Sequence, residues 1–244
     1  MDVIVSSDNR LIKRINKLKQ KKYREQYGEF FVEGFANVAD TAEASPDSVR
    51  VIVLSESAYK QYGGHFSEFD VSVVSDGLFC KIAETGSPCG VLSVNAMPKP
   101  VFPEGRACIL LDRVRDPGNV GTILRTACAA GYDVVLNNCA DVFSPKVTRS
   151  AMSAVLKCRM VFDIPPCELV SRGYELVVAD MTGENVFDAS KPTGKFCVVI
   201  GNEADGVCDE IMGVASRILK IPQKNIESLN ASVAAGIMMY ALMY

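Results

Sequence analysis

Five short runs that are almost wholly apolar recur after residue 106, at 108–111, 133–136, 176–179, 196–200 and 217–221. A strand with one wet face alternates apolar and polar residues. These runs do not, so both faces of each are covered, as in a parallel sheet flanked by helices. The intervening stretches support that reading. Val120, Ile123, Leu124, Ala127 and Cys128 fall at helical spacing and form one buried stripe. An α/β fold follows, and in such folds ligands gather beyond the carboxyl ends of the strands.

The same alternation occurs earlier in weaker form. Strand candidates at 30–33, 49–54, 71–74 and 90–94 alternate with helix candidates at about 9–21, 35–44 and 76–84, which describes a small α/β domain. Between the halves stands Pro-Lys-Pro-Val-Phe-Pro-Glu-Gly, residues 98–105, whose three prolines remove backbone donors and turn the preceding residues away from helix. The expected organisation is a first domain over 1–97, a linker over 98–105 and a second domain over 106–244.

With 244 residues, 48% of them hydrophobic, the chain can fill such cores. Its most apolar segment, 233–244, is far shorter than the ~20 residues of a membrane span. The start, MDVIVSSDNR, lacks the apolar stretch of a secretory signal, so a cytoplasmic location without membrane attachment is expected. Nine cysteines, never closer than nine residues and without a C-x-x-C pair, argue against zinc and dithiol chemistry. They read as small buried hydrophobes in a reducing compartment. No metal site is expected, and the lone His65, after Gly63-Gly64, reads as a loop residue.

The net charge of −3 conceals an asymmetry. Residues 1–24 hold Arg10, Lys13, Arg14, Lys17, Lys19, Lys21, Lys22 and Arg24 against Asp2 and Asp8. A basic cluster on an otherwise acidic chain points to a polyanion such as nucleic acid, although a solvated helix face would look the same.

Four strand ends hold the candidate chemistry. After residue 111 comes Asp-Arg-Val-Arg-Asp-Pro-Gly-Asn-Val-Gly, which matches neither G-x-G-x-x-G nor a Walker loop. Asn119 lies at the helix start, as a cap or a site residue. Arg125 lies off the buried stripe, facing a cleft or solvent. After 179 comes the polar turn Asp180–Glu184. After 200, Gly201-Asn202-Glu203-Ala204-Asp205-Gly206 lets a ligand approach the main chain beside a carboxylate. After 221, a polar stretch containing Ser228 and Asn230, either able to cap, leads into a helix that is apolar all round. Such a helix must be buried, beneath the sheet or against a second subunit.

Taken in order, "LDRVRDPGNVGTILRTA", "VVIGNEADGV" and "LKIPQKNIESLNASVAAGI" closely resemble the three motifs of the SpoU (TrmH-like) family of SPOUT RNA methyltransferases. The stretch "LIKRINKLKQKKYREQYGEFFVEG" resembles that family's substrate-binding domain, related to ribosomal protein L30e. The resemblance implies a SPOUT domain with a C-terminal trefoil knot, a homodimer, and S-adenosyl-L-methionine as cofactor. It maps cofactor contacts to Gly201, Ile221 and Leu229, with Met181, Thr182 and Gly183 nearby. It maps the polar residues of catalysis to Asn119, Arg125, Glu203, Ser228 and Asn230. Ala204 and Ser153 stand where many members have glycine.

The implied reaction is methylation of a ribose 2′-hydroxyl in RNA, with large-subunit (23S-type) ribosomal RNA favoured over tRNA by the two-domain layout. An arginine stays protonated in proteins and makes a poor base. Arg125 is therefore expected to act as a cation, gripping the phosphate beside the target ribose and stabilising alkoxide charge. RNA binding is expected from Lys13, Arg14, Lys17, Lys19, Lys21, Lys22 and Arg24, through phosphates. The rivals are a non-catalytic RNA-binding or ribosome-assembly protein and a dinucleotide-dependent oxidoreductase; the retained polar residues oppose the first and the missing glycine motif the second.

Overall fold

A computed structural model describes residues 2–244 in two compact units. The first takes in the chain up to Lys99 together with Asp141–Lys157; the second is Pro100–Ala140 with Cys158–Tyr244.

The first unit opens with β1 (Val3–Ile4) and α1 (Arg10–Leu18), which starts where the Asn9 side chain accepts from the Leu11 amide at 2.8 Å. The helix expected over about 9–21 ends at Leu18, and a second one that was not expected follows it. The backbone is extended at Gln20, and α2 (Lys21–Tyr27) runs to Gly28, where φ is 63°. Arg24 accounts for the break, because its Nη1 donates to the Leu18 carbonyl at 2.7 Å, one of the groups that the end of α1 leaves unsatisfied.

Five more elements follow the break: β2 (Glu29–Glu33), α3 (Phe35–Ala44), β3 (Val49–Ser55), α4 (Glu56–Tyr62) and β4 (Val71–Val74). With α5 (Asp76–Ile82) and β5 (Val91–Ala96) they complete a sheet of order β1-β4-β3-β5-β2. Pairing is parallel from β1 to β3 and antiparallel on either side of β5. Ile12, Ile15 and Leu18 of α1 form its core with Phe79, Ile82, Phe31 and Leu92.

The second unit begins with β6 (Ala107–Asp112), α6 (Pro117–Ala130) and β7 (Asp133–Asn137). The chain then rejoins the first unit for α7 (Pro145–Ala151) and α8 (Ala154–Lys157), a segment that the sequence reading assigns to the second domain. β2 is buried along its whole length: Phe31 faces the core with α1, and this segment covers the other face, where Phe143 packs on Phe30 with ring centroids 5.2 Å apart; Asp141 pairs with buried Arg24.

Back in the second unit come β8 (Met160–Phe162), α9 (Pro166–Ser171), β9 (Glu175–Asn185) and β10 (Phe196–Ile200). Then follow α10 (Asp209–Met212), β11 (Arg217–Lys220) and α11 (Ala231–Met243). All six strands pair in parallel, in the order β11-β9-β10-β6-β7-β8. The five apolar runs are thus strands of a parallel sheet, joined by the three-residue β8. α11 packs on α6 and β10, and the Tyr132 hydroxyl donates to the Met239 carbonyl at 2.8 Å. Among the described residues no helix is long and apolar enough to cross a membrane.

One strand departs from expectation. The polar stretch after Ala179 stays extended within β9, but its pairing with β11 jumps from Val178↔Ile218 to Glu184↔Leu219. Residues 179–183 therefore have no ladder partner and bow out of the sheet.

Candidate active site

The carboxyl ends of β11, β9 and β10 are neighbours in the sheet, and beyond them lies a cavity of about 450 Å³. Its walls come from the bulge (Ala179, Asp180, Met181), the turn after β10 (Gly201, Asn202, Glu203) and the stretch before α11 (Ile221, Ser228, Leu229, Asn230).

Asn119 ties the first motif to this cavity. α6 has Pro117 as its first residue, and its cap is Asp116, whose Oδ1 accepts the Asn119 amide at 2.8 Å. Asn119 is therefore not the cap, and its side chain, in a residue only 8% exposed, is free for other partners. Its Nδ2 donates to Glu203 Oε1 at 2.9 Å, and its Oδ1 accepts from Asn230 Nδ2 at 2.9 Å. Asn230 in turn caps α11, its Oδ1 accepting from the Ser232 and Val233 amides at 2.9 and 3.3 Å. The carboxylate at one end and the helix amides at the other fix the orientation of both side-chain amides. Three segments far apart in sequence are joined by one hydrogen-bonded row.

The turn after β10 is closed by two backbone hydrogen bonds between Asn202 and Gly206, each 3.0 Å. A Cβ on Gly201 would lie 2.3 Å from the Gly206 carbonyl carbon, so glycine is required here by the chain's own backbone. Two residues that sequence reasoning left unassigned hold this turn. Buried Asp112 accepts the Cys208 amide at 2.9 Å; Arg113, at φ 57°, donates to Asp112 and to the Gly206 carbonyl at 3.1 Å. Its hydrogen bond to Asp112 raises Arg113 further above the ordinary arginine value. The signal was the Asp-Arg pair at the end of an apolar strand.

In the bulge, the Thr182 amide and hydroxyl both donate to Asp180 Oδ1, at 2.9 and 2.6 Å. Met181 and Asp180 line the cavity, whereas Thr182 and Gly183 do not. Gly183 instead lies against β11, where a Cβ would meet the Ile218 carbonyl oxygen at 2.3 Å. Gln223 reaches across to Met181, Nε2 to Sδ, at 3.3 Å, while its Oε1 is buried without a partner.

The lining suits S-adenosylmethionine. Ile200, Leu219, Ile221 and Leu229 offer apolar surface for a purine, and Asp180 and Glu203 offer carboxylates to a cation. Gln223 Oε1 is an acceptor that lacks a donor. Ser228 is exposed on the rim; Arg125 is exposed on α6, outside the cavity lining and with no ion pair among the described residues. No group of three or more His, Cys, Asp or Glu among the described residues could hold a metal ion.

In the first unit the expected RNA-binding cations have different fates. Arg24 is corrected: only 3% exposed and paired with Asp141, it holds the fold and cannot reach RNA. Arg14 pairs with Glu29, Lys19 with Glu84 at 2.9 Å, Lys21 with Glu25 at 3.6 Å and Lys13 with Asp8 at 2.7 Å. Lys17 and Lys22 lie over the Tyr23 ring, 5.4 and 5.9 Å from its centroid.

Residues 106–240 match the SpoU rRNA Methylase family, and residues 9–93 match the MRM3-like substrate binding domain. The 23S rRNA (guanosine(2553)-2'-O)-methyltransferase RlmP of Bacillus subtilis (strain 168) is 30% identical over 252 residues, covering 99% of each chain. An AdoMet-bound rRNA methyltransferase from Sinorhizobium meliloti superposes with a TM-score of 0.84 at 26% identity, over 99% of this chain and 97% of its own. The SpoU methyltransferase AviRb from Streptomyces viridochromogenes, in complex with the cofactor AdoMet, does so with a TM-score of 0.81 at 25% identity, over 96% and 97%.

Proposed function

This chain belongs to the SpoU rRNA Methylase family, and we propose that it methylates a ribose 2′-hydroxyl of large-subunit ribosomal RNA with S-adenosylmethionine as donor. The observation that carries this reading is the row Glu203–Asn119–Asn230, which gathers the three motif segments beside one cavity of about 450 Å³. Gly201, Ile221, Leu229 and Met181 would hold the cofactor, which supplies a methyl group activated by a sulfonium.

The rest of the chemistry belongs to the chain. A hydroxyl is a poor nucleophile, and holding it in line with the methyl group is what the site contributes most. Transfer of that methyl group would release the hydroxyl proton, which water can take. Arg125, exposed and with no ion pair among the described residues, grips the phosphate beside the target ribose and stabilises the developing negative charge. Asn119 and Asn230 position Glu203 and the segment bearing Ser228, and Lys13, Lys17 and Lys22 meet RNA phosphates.

A homodimer belongs to the same reading. α11 carries an outward apolar stripe of Val233, Ile237, Tyr240 and Tyr244 beside α6, and Tyr244 is 71% exposed. A second copy of this chain would cover it. A trefoil knot and a cytoplasmic location belong to the same reading, the latter supported by nine free cysteines.

The test is incubation of the purified protein with methyl-labelled S-adenosylmethionine and ribosomal RNA from a strain lacking the gene. Label appearing in an alkali-resistant dinucleotide of large-subunit RNA is expected. Label confined to a base, to tRNA, or absent would refute the assignment.

A further inference from the structure

α1 has two faces. Ile12, Ile15 and Leu18 are fully buried, while Arg10, Lys13, Arg14 and Lys17 recur at helical spacing on the other side. With Asp8, Gln26 and Tyr27, those four cations line an open cleft of about 750 Å³; Arg14 is held by Glu29 behind it, and Asp8 is the one carboxylate in the lining. The Lys13–Asp8 pair is largely exposed, so it holds little energy and gives way readily to a phosphate.

Two aromatic rings complete this surface. Tyr23 and Tyr27 lie one turn apart on α2, with centroids 6.1 Å apart and planes inclined by 23°. Neither belongs to the core, since the one buried residue of α2 is Arg24, and Tyr27 is 36% exposed. Lys17 lies over the Tyr23 ring, with its Nζ 3.4 Å from the Tyr27 hydroxyl. Two aromatics at this spacing also steady a helix. That role does not require Tyr27 to stand among the cations that line the cleft.

A duplex presents phosphates and sugars, with its base faces stacked away. Only unpaired nucleotides offer a face to an aromatic ring. Resting on the reading that this protein acts on RNA, we propose that α1 and α2 form a stacking site for a single-stranded segment of that RNA. A nucleobase lies on Tyr27, backed by Tyr23, and phosphates run along Arg10, Lys13 and Lys17.

The full-length protein is titrated with a labelled unstructured oligoribonucleotide, with an RNA duplex of equal length and with heparin, a polyanion without bases. Tyr27→Leu is expected to weaken single-strand binding about ten-fold, as loss of one stacked base does, and to leave duplex, heparin and the salt dependence unchanged. Tyr27→Phe keeps the ring and should retain wild-type affinity, which separates stacking from damage to the fold. Lys17→Gln should weaken all three ligands and lower the salt slope for the single strand by about 0.7.

The proposal fails if Tyr27→Leu binds the single strand as wild type does, or loses affinity equally for heparin. It also fails if the wild type prefers the duplex. Cofactor binding measured alongside keeps the two readings apart: its absence in the wild type strikes at the methyltransferase assignment, and its presence with inert tyrosines strikes at this site alone.

Discussion

Replacing Gly201 by alanine adds one methyl group where β10 gives way to the turn that carries Glu203. That methyl would lie 2.3 Å from the Gly206 carbonyl carbon, 2.4 Å from the Val207 nitrogen and 2.5 Å from the Gly206 oxygen. All three are backbone atoms, so no side chain can swing aside, and the turn must open by roughly 1 Å to reach ordinary contact. Opening it strains the two Asn202–Gly206 hydrogen bonds, at about 1 kcal/mol each, and overpacking adds about 1–3 kcal/mol. A loss of about 3 kcal/mol should lower the melting temperature by about 6–12 °C. Because the turn lines the cavity, calorimetric titration should also show weaker cofactor binding. Gly194→Ala is the control: nothing lies within 4 Å of the added Cβ, so melting and binding should match the wild type. A Gly201→Ala protein with wild-type melting and cofactor affinity would refute the reasoning, since the turn would then yield at no cost.

Arg24→Met should lower stability by about 2–3 kcal/mol, read as a shifted urea midpoint, because it leaves half-buried Asp141 and the Leu18 carbonyl without their cation. Arg125→Ala should reduce methyl transfer by about 100-fold or more while cofactor affinity stays constant. A parallel fall in cofactor affinity would rule out a role confined to the RNA. Burial pushes the Cys139 thiol up to about 12 from an ordinary value of 9.0. The folded protein therefore keeps a proton that the unfolded chain releases, and the stability from this group is lost as pH rises from about 9 towards 12. Urea melts of Cys139→Ala should show a weaker alkaline decline, and Cys139 should resist iodoacetamide at neutral pH while exposed Cys80, Cys89 and Cys167 react.

The strands of the second unit were legible because each is covered on both faces, which writes a continuous apolar run. β8 has only three residues, and α4 seven, too few to show a period. Asp116 could have been chosen over Asn119 as the cap, since a proline follows it at the first helical position. What no local pattern holds is the meeting of Asn119 with Glu203, 84 residues on, and with Asn230, 111 residues on. The order of the three motifs, not any spacing within them, is what links these residues in the sequence. Arg24 was misread for the opposite reason. In a run of surface cations nothing in the sequence marks the one that turns inward to close a helix end and meet Asp141. The bulge in β9 was equally hidden, because a polar Gly-containing stretch reads as a turn whether or not a strand resumes after it.

The return of Asp141–Lys157 to the first unit also sets a clock. When Lys99 is made, β2 still lacks the cover that Phe143 gives to Phe30, and that cover is complete only about 60 residues later, or about 3–12 s at bacterial-like elongation rates. During that interval the nascent chain has a nearly finished sheet with the Phe30 face of one strand bare. A ribosome paused between the two points should hold a protease-sensitive, chaperone-bound first unit, and one paused far enough beyond Lys157 for that segment to have left the exit tunnel should not.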